Sequence, residues 1–365
     1  MATRSPVSHS TSRADLLYAL NTIKPAIGKG IFVPVLSHFC FSAEYVTAYD
    51  DSIAIAMPYK AGFEAAVPGD LLLRLLGSLT SSDLGLSLKD GTLHVASGRS
   101  RFKVPTLPPE AFILKLNGHG ACESFEVDSD FLQAVEGCLI STGVDPTHPA
   151  QMGLTLVREA NGKEVYYTLY STDNVTMSRY ELKGDLDIEG AVPEGGIIMP
   201  TEFCRLLLAL SRFFNEQPVV AVYEAVVMAH FKNGATLFGK LIQSEKPLDF
   251  PGVFSKMAGD TPESHVLPPA WDSTFTRACA VVNPQHPVTS ISVEEGVLFA
   301  ESKSALGEVK DELEFEDAEL TAKPFLVDPA HVLRASKVCS AVTFMPRCVL
   351  MRSESFSHVI SHCSE

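Results

Sequence analysis

Nowhere in the sequence is there an uninterrupted apolar run of about 18 residues, the length a membrane-spanning helix requires. The opening residues 1–12, MATRSPVSHSTS, lack the apolar stretch of a secretory signal. A cytoplasmic location without membrane attachment is therefore expected. No Cys-x-x-Cys pair occurs: Cys40, Cys122, Cys138, Cys204, Cys279, Cys339, Cys348 and Cys363 are scattered, most of them inside apolar runs. That pattern suits reduced, buried thiols better than disulfides or a zinc site. Positive charge is scarce, with 29 Lys and Arg against 44 Asp and Glu and a formal net charge of −15. Taken as an average, this balance argues against nucleic acid as a partner.

Catalytic signatures are missing as well. The chain has no G-x-x-x-x-G-K-[ST], G-x-S-x-G, H-E-x-x-H or G-x-G-x-x-G. Asp50 and Asp51 could suggest a metal pair, but adjacent strand residues point to opposite faces. His358 and His362 are expected in a terminal strand, where their spacing merely shares a side. Cys339 and Cys348 with His331 read as buried thiols beside a helix face rather than as a thiol enzyme. The expectation is a protein that is not an enzyme and needs neither cofactor nor metal.

What is present is material for two or three ordinary cores: 365 residues, 46% of them hydrophobic. It is also repetitive. Pro68, Pro200 and Pro329 lie 132 and 129 residues apart, each at the start of a leucine- or alanine-rich helix pattern (residues 67–79, 199–213 and 327–342). Proline is favoured in a first helical turn, and Asp70, Glu202 and Asp328 complement the positive end of the helix dipole. A second helix type precedes each, at residues 13–27, 128–142 and 270–282.

Strand patterns fill the intervals. Strand pairs are expected at residues 46–58, 167–182 and 298–313, and hairpins at 88–104, 231–242 and 345–360. Asp90-Gly91 and Asn233-Gly234 mark two of the hairpin turns, a cue the last copy has replaced. Three copies of one sheet-plus-two-helix unit imply an α+β chain with domains at 1–117, 118–256 and 257–365. Pro- and Gly-rich linkers are expected near residues 107–121 and 256–270.

The helices resolve the charge objection. In the second copy Glu202, Arg205, Ala209 and Arg212 share one stripe, opposite Phe203, Leu206, Leu207 and Leu210. Asp70, Arg74 and Ser78 form a similar stripe in the first copy, and His331, Arg334 and Lys337 a looser one in the third. Over segments 13–29, 68–82, 128–142, 200–214, 270–282 and 328–342 there are nine cations against eight acids, so the remainder of the chain holds −16. Most of the helix acids sit in first turns, as capping requires. A mildly basic helical surface on an acidic body could hold a phosphate backbone by charge, without reading bases.

Several stretches resemble the bacterial DNA polymerase III β subunit, the sliding clamp: residues 31–41, 95–112, 171–182, 197–210 and 239–254, in the family's order. Gly98-Arg99-Ser100-Arg101-Phe102 followed by Thr106-Leu107-Pro108 is the most specific of them. The resemblance implies the DNA clamp fold and a head-to-tail homodimer, a six-domain ring around duplex DNA that tethers a replicative polymerase. Pore-facing candidates are then Lys24, Lys29, Arg74, Arg205, Arg212, Arg277, Arg334 and Lys337. The subunit joint would set the edge strand with Phe102 and Val104 against Arg277, Ala280 and Val281 of a second copy.

Short peptides from the DNA polymerase and clamp loader would dock at Thr172, Asp173, Asn174, Val175, Thr176 and Met177 with Pro251, Val359, Ile360 and Ser361. The chain departs from the family there. Asn174-Val175-Thr176-Met177 replaces the usual Gly-His-Arg-Leu, and Ser361-His362-Cys363-Ser364-Glu365 replaces an apolar tail. A polar, acidic rim should prefer different peptides, and divergence of this kind suits a clamp encoded by a virus or plasmid. The competing expectation is a clamp-like protein-binding scaffold or decoy that does not encircle DNA.

Overall fold

The computed structural model describes residues 9–29, 32–114, 116, 118–161, 164–183, 186, 188, 190, 192, 193, 195–244, 248–259 and 263–363. Ser364 and Glu365, the polar end of the tail, lie outside the described residues. The seven α-helices among those described are α1 (Arg13–Ile23), α2 (Gly69–Gly77), α3 (Ser129–Cys138), α4 (Thr201–Phe214), α5 (Phe250–Ala258), α6 (Trp271–Val281) and α7 (Pro329–Ala335). Four begin on a side-chain cap. Ser12 accepts from the Asp15 amide, Asp128 from Phe131, Asp249 from Gly252 and Asp328 from Ala330, each satisfying one of the free N–H groups of a first turn.

The chain divides into two compact units, residues 1–127 with 209–241, and residues 128–208 with 242–365. In the first unit, an eight-stranded antiparallel sheet runs Ala65–Pro68, His38–Phe41, Tyr45–Tyr49, Ile53–Pro58, Thr236–Lys240, Val226–His230, Val219–Val222, Glu123–Glu126. Its central seam pairs Ala56 with Thr236 and Ala54 with Phe238, although the two strands are far apart in the chain. A four-stranded sheet, His9–Ser12, Asp83–Lys89, Thr92–Ser97, Ser100–Pro105, completes the unit. Asp90 and Gly91, at φ 50° and 70°, form the tight turn that the Asp-Gly pair predicts.

The second unit has the same plan. Its eight-stranded sheet runs Ile197–Pro200, Gly153–Asn161, Glu164–Thr172, Thr176–Glu181, Phe356–Ser361, Cys348–Arg352, Ala341–Phe344, His265–Val266. The central seam pairs Thr176 with Ile360 and Ser178 with His358. Its four-stranded sheet runs Gly307–Glu314, Val297–Ser304, Thr289–Glu294, Ala322–Val327.

The sequence repeat is visible in one turn written twice, with a different two-residue turn at the matching place in the third copy. Asp50 accepts from the Ser52 and Ile53 amides, Asp173 from Val175 and Thr176, and Ser304 from Leu306. Asp51 and Asn174 take positive φ values of 86° and 72°, and Gly307 one of 152°. Asp50 and Asp51 therefore occupy a hairpin turn, not the strand expected for them. A metal pair is still disfavoured, because Asp50 is used by backbone amides and Asp51 pairs with Lys240 at 3.1 Å.

Two further expectations are corrected. The pattern at 327–342 holds only a short helix. It stops at Ala335, Ser336 turns its hydroxyl to Asp272 of α6, and Ala341–Phe344 joins the large sheet. Within the stretch 239–254, and reaching into the linker expected near 256–270, α5 forms a helix the repeat did not announce. Its inner face, Phe250, Phe254 and Ala258, packs on Val157, Tyr170, Met177, Cys348, Leu350 and Val359. The rings of Phe250 and Tyr170 stack at 5.4 Å.

Candidate nucleic-acid interface

All eight candidate cations are exposed. On α4 the expected stripe is as drawn: Glu202, Arg205, Ala209 and Arg212 face outward while Phe203, Leu206, Leu207 and Leu210 are buried. On α2 the same holds for Asp70, Arg74 and Ser78 above buried Leu72 and Leu76. The cations are not equally available for a phosphate. Arg277 spends two N–H groups on Asp311, at 3.0 and 2.8 Å, and a third on Thr274. Arg205 lies 3.7 Å from Glu202.

His331 is a correction. Its side chain is mostly covered, 3.6 Å from Asp328 and hydrogen-bonded to Arg334, so the exposed stripe of α7 reduces to Arg334 and, just beyond it, Lys337.

At the expected subunit joint, Ser100–Pro105 is an edge strand of its sheet. Phe102 is half-buried, but Val104 is fully buried opposite Leu93 and cannot present its side chain to a second copy. Alternation along the strand causes this, since both even-numbered side chains turn toward the core and Val104 lies deeper. On the α6 side Arg277 and Ala280 are exposed and Val281 half-exposed.

The expected peptide surface is only partly available. Asn174 and Val175 are exposed, and Asp173, Pro251 and Ser361 partly so. Thr172, Thr176, Met177, Val359 and Ile360 are buried, which corrects their placement as surface contacts. Met177 and Val359 belong to the core beneath α5, and Thr172 and Thr176 hold the hairpin turn. The apolar groups that remain partly open around this core are Val253, Met257 and Met345. None was singled out from sequence. The signal was Asp249-Phe250-Pro251, an N-cap followed by proline, which announces a helix and hence which side chains share a face.

A buried polar knot lies close by. His358 accepts or donates at Ser178 (2.9 Å) and Ser141 (3.3 Å), and those two hydroxyls are 2.8 Å apart. Burial, aided by the nearby charges of His331 and Arg334, lowers the imidazole from 6.5 to about 3, so it is neutral. With all three side chains buried, no substrate reaches this trio. His362 stacks on Phe325 at 4.2 Å. Burial pushes the Cys339 thiol up to about 12 and Cys348 to about 11, which opposes nucleophilic use of either. Among the described residues, no group of three or more His, Cys, Asp or Glu could hold a metal ion, and no helix is long and apolar enough to cross a membrane.

No family model matches the chain. A β sliding clamp of Caulobacter vibrioides is 26% identical over 203 residues, 52% of this chain and 53% of the relative, so the match spans about half the length of the curated relatives. Solved structures match over nearly everything. The Caulobacter crescentus pol III β structure superposes with TM-score 0.85 at 18% identity, covering 98% of this chain and all of that one. A sliding clamp of Bartonella birtlesii bound to griselimycin gives 0.84 at 16% over 99%, again covering all of that chain. A DNA polymerase III subunit β from Pseudomonas aeruginosa gives 0.83 at 17% over 98%, also covering all of that chain. A half-length sequence similarity to a β sliding clamp and a full-length structural match show that the chain has the DNA clamp fold of these proteins.

Proposed function

We propose that the protein is a sliding clamp: three clamp domains per chain, two chains head to tail, a ring whose helices face duplex DNA and whose outside serves partner proteins. The observation that carries this reading is that Lys24, Lys29, Arg74, Arg205, Arg212, Arg277, Arg334 and Lys337 are all exposed on or beside helices of a chain otherwise strongly acidic. Such a lining binds phosphate without regard to sequence, loosely enough to slide and with marked salt sensitivity. No covalent step is involved. The protein tethers a polymerase in the cytoplasm and lets the polymerase do the chemistry.

The subunit joint centres on Phe102 from the edge strand and on Ala280 and Val281 from α6. The partner surface centres on α5 and the Asp173–Thr176 turn, where Val253, Met257 and Met345 supply apolar contacts and Asp173 and Asn174 a polar rim. Sedimentation or native mass measurement tests the ring. Two chains of 39.5 kDa per particle are expected, and a particle of one chain at all concentrations would leave only the protein-binding scaffold.

A further inference from the structure

We infer that Tyr18 and Phe213 form a stacking platform for unpaired bases of a single-stranded nucleic acid. Tyr18 lies on the outer face of α1 and Phe213 near the end of α4, within the same compact unit, and their rings stack at 5.8 Å and 26°. Large aromatic rings are normally withdrawn from water, yet these are 47% and 58% exposed. They are also braced from behind. Phe213 packs on Phe214 at 5.3 Å, and Phe214 on Phe231 at 5.1 Å, so the pair is the outer end of an aromatic ladder anchored in the core.

The chemistry around the rings selects the occupant. Arg212 precedes Phe213, and Asn21 and Lys24 continue the exposed stripe of α1 beyond Tyr18. Aromatic faces flanked by cations and an amide suit a strand that offers π faces and phosphates together. An acidic chain gains nothing from cations beside exposed rings if the partner is a purely apolar peptide. Duplex DNA keeps its bases stacked internally, so the platform serves the unpaired stretch beside a primer end. The inference rests on the clamp reading in placing these helices toward DNA.

The test uses the full-length protein and a short oligothymidylate, which no ring can hold topologically. Phe213→Trp should show indole emission quenched on oligonucleotide addition, beyond any change in wild type, whose one tryptophan, Trp271, is buried. Tyr18→Leu with Phe213→Leu keeps apolar area but removes both π faces. It should lower oligothymidylate affinity about tenfold and leave duplex affinity unchanged. No quenching, or an equal loss for single strand and duplex, overturns the platform. Particle mass is read separately. A two-chain particle without quenching removes the platform alone, whereas a one-chain particle with quenching supports the platform and removes the ring.

Discussion

Arg277 holds Asp311 through a two-point contact, Nε to one carboxylate oxygen at 3.0 Å and a terminal nitrogen to the other at 2.8 Å. Asp311 belongs to the edge strand Gly307–Glu314 and Arg277 to α6, so the pair ties helix to sheet edge. A guanidinium already matched to a carboxylate in this fork geometry has little charge to offer a phosphate. Asp311→Asn should therefore strengthen duplex binding at low salt, and Arg277→Ala should weaken it less than Lys337→Ala does. Filter binding or fluorescence anisotropy across a salt series measures both.

Arg205→Glu with Arg212→Glu should leave the thermal midpoint within about 2 °C, because surface substitutions away from special features change stability by less than about 0.5 kcal/mol. DNA association should fall at least tenfold and its salt dependence should flatten. Unchanged binding at low salt would mean that the α4 stripe does not face the duplex.

Phe102→Asp and Val104→Asp separate joint from core. Phe102 is half-buried on an edge strand, so a carboxylate there should shift a two-chain particle toward single, folded chains. Val104 is wholly buried, and Val104→Asp should unfold the four-stranded sheet by placing an unpaired charge in the core, a cost of several kcal/mol. Mass measurement with circular dichroism distinguishes the two outcomes.

Acid should destabilise the second unit through His358. Its folded-state value, about 3, lies below the 6.5 of an unfolded histidine. The unfolded chain then binds the extra proton, and stability rises with pH across that window. Full stability is present above about pH 6.5 and is lost at up to about 1.4 kcal/mol per pH unit as the pH falls toward 3. His358→Gln should flatten this part of a thermal midpoint against pH curve, at some cost in stability at pH 7.

Much of this was legible in the sequence, and the gaps have physical causes. The six helix positions, the Asp90-Gly91 turn and the exposed stripe of α4 follow from periodicity and turn chemistry, which are local. The seams Ile53–Pro58 with Thr236–Lys240 and Thr176–Glu181 with Phe356–Ser361 are not local, since edge-to-edge pairing of distant strands leaves no periodic trace. Helix α5 escaped because it breaks the threefold pattern. Met177, Val359 and Ile360 were placed at a surface by resemblance, whereas the packing of Phe250 and Phe254 covers Met177 and Val359, and Ile360 is buried as well. Val104 was misassigned because an edge strand still has an inward face.

Encirclement is a topological property, and a topological measurement decides it. Protein incubated with a nicked circular duplex at low salt, washed at high salt to remove contacts held by charge alone, should stay with the circle and leave once the DNA is cut to a line. Equal loss from circle and line would contradict a closed ring around DNA.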